Sequence, residues 1–217
     1  MGETNSLYNQ GKPGLSNSFG AALWSIDYLL TAAALGFGRI HLHQGTNYRY
    51  QSWQPVDTDK VSKGTKAPYY GALASAAALG NLTANDVSVQ TLVAQEKQVA
   101  HAVSKAGNLR SVMLINMQQY NYTTTTGGVN AQQRLNSTFT IQYSGWADGT
   151  KIKVQRLLAN GSDAITGITF DGLSYNYELE NGKPVRLNNV TTGEVILAKG
   201  GSVQVQVPDS SAAVLTY

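Results

Sequence analysis

Cysteine is absent from the 217 residues, so this chain has no disulfide and no thiolate nucleophile or ligand. Charge is sparse as well. Asp, Glu, Lys and Arg make up 13% of the chain against 42% hydrophobic residues, a balance that buries a core rather than staying disordered. The net charge of +3 comes from scattered residues. Lys60, Lys63 and Lys66 are the nearest approach to a basic cluster, and they fall in a polar stretch. A nucleic-acid surface needs clustered phosphate contacts, so none is expected. Only three histidines occur. His41 and His43, two apart, would share one face of a strand, but no third ligand or carboxylate cluster lies near them, so neither a metal nor a cofactor is expected. There is no nucleophile elbow, no P-loop and no dinucleotide fingerprint. Gly20, Ser25, Asp27 and Thr31 interrupt the longest apolar stretch, Phe19 to Leu35, which reads as a buried helix rather than a membrane span.

What is present falls into two textures. Residues 1–80 carry two Ala/Leu-rich helical patterns. Phe19, Leu23, Ile26 and Leu30 recur at the spacing of one buried stripe, widened by Ala22, Leu29 and Ala33. This predicts a helix over 18–35, opened by Ser16 or Ser18 and closed by Gly36 in the left-handed conformation. A strand is expected over 38–43, then a polar loop over 44–67, then a helix over 69–79 with Pro68 at its start and Gly80 at its end. A loop of roughly two dozen residues directly after a strand is usually functional. Beyond residue 86 the chain is rich in Val, Ile, Thr and Tyr. Val203, Val205 and Val207 alternate with Gln204 and Gln206, the mark of a strand with one buried face. Strands are expected at 88–93, 99–104, 110–116, 135–143, 151–158, 195–197, 202–207 and 213–217. Turns fall at Asp148-Gly149, Asn160-Gly161, Asn181-Gly182 and Gly200-Gly201. This is the pattern of a β-sandwich.

The start of the chain carries a more specific signal. Gly2-Glu3-Thr4-Asn5-Ser6-Leu7-Tyr8, then Gly11-Lys12-Pro13-Gly14, Ser18-Phe19 and Leu23-Trp24-Ser25-Ile26-Asp27, resembles glycoside hydrolase family 79, the β-glucuronidase/heparanase type. Gly45-Thr46-Asn47-Tyr48 resembles the family's loop after barrel strand eight, and Pro68-Tyr69-Tyr70-Gly71 the start of its eighth helix. The resemblance implies an α/β remnant of a (β/α)8 barrel over 1–85, comprising its last strands and helices, followed by an all-β C-terminal β-sandwich domain over 86–217. It implies that Glu3 is the nucleophile of a retaining β-glucuronidase. It also implies that Tyr8 and Tyr48, with Tyr50 as the alternative to Tyr48, contact the uronate of a glucuronic-acid-containing glycan or glycoside. Backbone N–H groups around Asn9, Gln10 and Gly11 would assist, although relatives often carry Gly-Gly where Asn9-Gln10 stands. His43 and Gln44 are further candidates for the pocket wall, and His41 for either the wall or the core.

One departure from the family matters. Its acid/base Glu belongs to an Asn-Glu pair far upstream, and no Asn-Glu pair occurs in this chain. A lone carboxylate cannot both attack and protonate. The chain is therefore expected to be the C-terminal part of a longer enzyme and inactive alone, its missing signal peptide reflecting N-terminal truncation. Standing alone, it would leave the 38–43 strand unpaired and the stripe of Phe19, Leu23 and Ile26 uncovered. Five sequons, at Asn81, Asn121, Asn136, Asn160 and Asn189, suggest a secreted glycoprotein. The alternative reading is a non-catalytic secreted carbohydrate-binding or interaction β-sandwich module, which exposed aromatics such as Trp146, Tyr175 and Tyr177 would favour.

Overall fold

Helix α1 (Phe19–Ala34) forms where the apolar period places it, in a computed structural model that describes residues 1–217. Its ends are defined by backbone partners. Ser18 precedes the first turn, but its hydroxyl donates to Leu15 O rather than capping the helix. The first free N–H groups, on Phe19 and Gly20, donate to Ala164 O and Ser162 O, both at 2.8 Å, far away in the β half. At the other end Gly36 adopts φ +84°. Gly36 N and Phe37 N donate to Ala33 O and Ala32 O, a Schellman closure.

After α1 come a short hairpin of β1 (Trp53–Gln54) and β2 (Gly64–Thr65), then α2 (Ala67–Leu79). The rest is β3 (Val87–Ala94), β4 (Gln98–Lys105), β5 (Asn108–Asn116), β6 (Asn136–Gln142), β7 (Lys151–Leu158), β8 (Thr169–Phe170) and β9 (Leu173–Ser174). One helical turn, α3 (Tyr177–Glu180), precedes β10 (Val185–Arg186), β11 (Glu194–Leu197), β12 (Ser202–Pro208) and β13 (Ser211–Thr216). A nine-stranded sheet runs β10-β9-β8-β7-β13-β5-β4-β3, with β11 sharing the β7 edge, and β12 and β6 pair as a separate two-stranded sheet.

The central strands β5 and β13 of the nine-stranded sheet are buried on both faces. Along β5, Met113 and Ile115 point to one side, Val112 and Leu114 to the other. On the first side lie α1 and α2, with Phe19, Leu23, Ile26, Leu30, Tyr70 and Ala74 in one continuous core with Val99, Val103, Met113 and Leu157. On the second side Phe139 and Ile141 of β6 and Val203, Val205 and Val207 of β12 close a sandwich core around Trp146. The two helices approach closely because residue 71 is glycine. A Cβ there would lie 2.5 Å from Ala22 O and closer still to Ser25 Oγ.

Several expectations need correction. The stripe of Phe19, Leu23 and Ile26 is not uncovered: these side chains are 0%, 3% and 0% exposed, because the sheet's outer face seats them. The expected 38–43 strand does not form. That segment makes a single parallel bridge, Leu42 with Thr4, through Thr4 N→His41 O (3.1 Å) and His43 N→Thr4 O (2.9 Å). One pair on one edge is too little backbone pairing to define a strand. The β1–β2 hairpin, the β8–β9–β10 ribbon and the turn α3, a helical element inside the β half, have no counterpart in the sequence reading. Two-residue strands and a single helical turn are too short to display a period.

Burial of α1 against the sheet makes a direct prediction. Ile26→Ala should cost about 2–5 kcal/mol of stability. Leu35→Ala, at a side chain 72% exposed, should stay within about 0.5 kcal/mol. Denaturant unfolding followed by circular dichroism compares the two, and equal midpoints would show that α1 does not depend on the sheet.

Candidate functional site

The Thr4–Leu42 bridge holds two loops side by side, and the side chains flanking it meet over one concavity of about 490 Å³. Glu3, Asn5, Tyr8, His43, Tyr48 and Tyr50 are among its lining residues. Thr4 is anchored to α1, its hydroxyl 2.9 Å from Tyr28 OH. Asn5 ties the two loops, donating from Nδ2 to His43 O at 2.9 Å and accepting from Ser6 N at 2.8 Å.

His43 is the hub. Its Nδ1 lies 3.2 Å from Glu3 Oε1 and 3.4 Å from Tyr50 OH, and its ring meets Tyr48 edge-on at 4.8 Å. With the proton on Nδ1 the imidazole donates to the Glu3 carboxylate and steers it. Glu3 itself is 75% exposed at the side chain, so the contact orients more than it stabilises. Tyr48 and Tyr50 pack edge to face at 5.5 Å. Tyr50 is 4% exposed and donates to Asn9 O at 2.6 Å. Burial pushes the Tyr50 phenol up from its ordinary value, with Tyr48 and Glu3 adding to the effect. It therefore remains a neutral donor throughout the neutral range. Tyr8 stands at the rim, 85% exposed.

Glu3, Tyr8, His43 and Tyr48 thus come together, and Tyr50 joins Tyr48 rather than replacing it. Gln10, Gly11, Gln44 and His41 lie outside the lining. Gln10 Oε1 accepts from Lys60 Nζ and Gln10 O from Arg49 N. Gln44 turns away because its Oε1 accepts Ser52 N at 2.7 Å. His41 is exposed, which removes its reading as a core histidine, and it contributes only its carbonyl to the bridge. Gly11 acts from beneath. It adopts φ +73°, its N–H donates to Tyr8 O, and a Cβ would lie 3.0 Å from Tyr50 Cδ1 and 2.9 Å from Ser16 Cβ. Asn9 takes the left-handed conformation at φ 58°, which asparagine tolerates where other side chains do not. Sequence reasoning passed over the tying role of Asn5. The available signal was its place in the run Glu3-Thr4-Asn5-Ser6.

Glu3 is the one carboxylate in the lining. The chemistry available is a positioned carboxylate facing open space, walled by aromatic rings with phenol hydroxyls. Of the aromatics named for the alternative reading, two are engaged in packing and the third, Tyr177, is half-buried beside Lys63. Trp146 is buried in the sandwich core, and Tyr175 packs on Tyr69 and Tyr70.

Residues 100–214 match the C-terminal β domain of glycosyl hydrolase family 79. A β-glucuronidase of Aspergillus niger is 50% identical to the chain, the match covering 100% of this chain and 40% of that protein. A β-glucuronidase of Neurospora crassa is 49% identical over 88% of this chain and 38% of its own length. The chain therefore spans about 40% of the length of the curated relatives it matches. Among solved structures, a 4-O-α-L-rhamnosyl-β-D-glucuronidase from Fusarium oxysporum 12S superposes with a TM-score of 0.75 at 25% identity. That match covers 99% of this chain and 42% of the other.

Gly11→Ala tests the support beneath the concavity. Strain at positive φ together with the clash on Tyr50 should cost about 1–3 kcal/mol. A thermal melt checks it, and an unchanged Tm would mean that Tyr50 does not rest on residue 11.

Proposed function

The chain belongs to glycoside hydrolase family 79, and from that premise we propose that it is the C-terminal part of a retaining β-glucuronidase in which Glu3 is the nucleophile. The observation that carries this reading is the meeting of Glu3 with His43 and the Tyr8, Tyr48 and Tyr50 rings around one concavity. The relatives named β-glucuronidase support the substrate class. In the proposed reaction the Glu3 carboxylate attacks the anomeric carbon of a terminal β-linked glucuronic acid. The glycosidic bond breaks as an acid gives its proton to the leaving oxygen. Water then displaces the sugar from Glu3, with the same acid group now acting as base, and configuration is retained. His43 holds Glu3 toward the sugar. Tyr8 and Tyr48 offer phenol hydroxyls to the uronate, and the turn at Asn9 and Gln10 offers backbone N–H groups. The N–H of Gly11 is already committed to Tyr8 O.

The acid/base carboxyl has to stand about 5–5.5 Å from the nucleophile. No second carboxylate lines the concavity, so the acid is assigned to a part of the enzyme outside this chain. The same reading takes residues 1–85 as the end of a (β/α)8 catalytic barrel and 86–217 as its β-sandwich partner. The parallel sense of the Thr4–Leu42 bridge supports it, since barrel strands are parallel. It also takes the parent as a secreted glycoprotein. Asn81, Asn136, Asn160 and Asn189 are exposed, while Asn121 is half-buried with its Oδ1 bonded to Ser162 Oγ.

Two measurements test the proposal. In the full-length enzyme Glu3→Gln should reduce kcat on an aryl β-glucuronide by at least roughly a thousandfold with an unchanged thermal midpoint. The 217-residue chain alone should release no aglycone above background. An active Glu3→Gln enzyme would remove Glu3 from the role, and turnover by the isolated chain would reveal an acid within it.

A further inference from the structure

We propose that Arg49 is a specificity-determining residue, whose guanidinium supplies the positive charge that favours a glucuronide over the corresponding neutral glucoside. The inference rests on the glucuronidase reading for the identity of the substrate. It extends that reading to a residue outside the lining of the Glu3 concavity.

The need for a cation follows from the substrate. The carboxylate of glucuronic acid sits on C5, one ring oxygen from the anomeric carbon, so the sugar brings a second negative charge close to Glu3. Like charges in one site repel. The phenols and backbone N–H groups that meet the uronate in the proposed reaction carry no formal charge. Compensation therefore has to come from a residue that builds the same wall.

Arg49 stands in the chain between Tyr48 and Tyr50 and is joined twice to the turn that follows Tyr8. Its backbone N donates to Gln10 O at 2.9 Å, and its Nη1 donates to Gly11 O at 3.5 Å. Gly11 N and Tyr50 OH take the other two carbonyls of the turn, Tyr8 O and Asn9 O. Every carbonyl of residues 8–11 thus has a donor, while Asn9 N and Gln10 N make no bond within the chain. With Asn9 and Gly11 both at positive φ, the turn has the character of a backbone nest, which favours an anion.

The charge of Arg49 is unspent. The residue is half-buried, one of its guanidinium nitrogens is bonded, and that bond goes to a neutral carbonyl. No carboxylate of the chain forms an ion pair with it. A second cation, Lys60, places Nζ 3.1 Å from Gln10 Oε1. Lys60 is exposed and lies between Asp57 and Asp59 in the sequence, so solvent and neighbouring charge screen it. Arg49 is fixed to the backbone of the turn itself, and the selectivity is assigned to it.

The test compares full-length wild type, Arg49→Gln and Arg49→Lys on an aryl β-glucuronide and on the aryl β-glucoside with the same aglycone, with thermal melts to confirm folding. On the glucuronide, Arg49→Gln should raise KM roughly fivefold while kcat changes by less than about twofold. Arg49→Lys, which keeps the charge, should recover most of the loss, and activity on the glucoside should not fall in either variant. An unchanged KM, an equal loss on both substrates, or an Arg49→Lys as impaired as Arg49→Gln would overturn the assignment. The last of these would mean that Arg49 acts by shaping the turn rather than by charge. If Arg49→Gln does not fold, wild type decides: raising the ionic strength should raise KM for the glucuronide severalfold, and a salt-independent KM overturns the proposal. If wild type releases no aglycone from the glucuronide, the proposed function fails, and calorimetric titration with glucuronate decides Arg49 separately. A roughly fivefold weaker affinity of Arg49→Gln supports the assignment, and absent or unchanged binding overturns it.

Discussion

The seating of α1 and α2 on the outer face of the nine-stranded sheet is the constraint from which the rest of the arrangement follows. Phe19, Ile26 and Leu30 are wholly buried there with Met113 and Leu157, and at about 25 cal/mol per Å² such side chains dominate the local energetics. Directional bonds fix the same contact. The start of α1 donates to Ser162 O and Ala164 O, and Tyr70 OH lies 3.1 Å from Ser174 Oγ and accepts Tyr175 N at 2.7 Å. At the opposite end of the helix pair, Ser111 Oγ reaches Ala78 O at 2.7 Å. The β half therefore acts as the platform on which the N-terminal segment is positioned. His101 extends this contact inside the interface: it is fully buried, with Nε2 3.2 Å from Asp27 Oδ1 and Nδ1 3.2 Å from Thr91 Oγ1.

From that platform the site is reached in two steps. Tyr28 of α1 fixes Thr4, and Thr4 bridges Leu42, which sets His43 beside Glu3. Asn5 and Tyr50 then cross-link the two loops through His43 O and Asn9 O. Each step is made by hydrogen bonds rather than by apolar packing, which leaves the concavity open and wettable. A carboxylate placed in this way is positioned to attack but has no proton donor of its own class nearby. Under the proposed retaining mechanism, the two carboxyl roles fall to different segments of the longer enzyme.

The regular part of the fold was legible because burial imposes a period. Alternation along β12 and the stripe of α1 each encode a face, and β3 to β7 and β11 to β13 lie where the pattern places them. What was not legible is short. The β1–β2 hairpin and α3 turn direction within two to four residues, and residues 38–43 carry a strand-like pattern that their backbone satisfies only once. The candidate site was read from a resemblance to a family rather than from spacing. Glu3 and Tyr48 are too far apart in sequence for local periodicity to join them.

The central claim is that Glu3 forms the covalent bond to the sugar. The direct measurement is to inactivate the full-length enzyme with a slow-reacting fluorinated glucuronosyl substrate that accumulates the intermediate, digest it, and map the adduct by mass spectrometry. The account predicts one glucuronosyl adduct, on the peptide containing Glu3 and on its carboxylate. An adduct on any other carboxylate, or inactivation with no adduct, would contradict it.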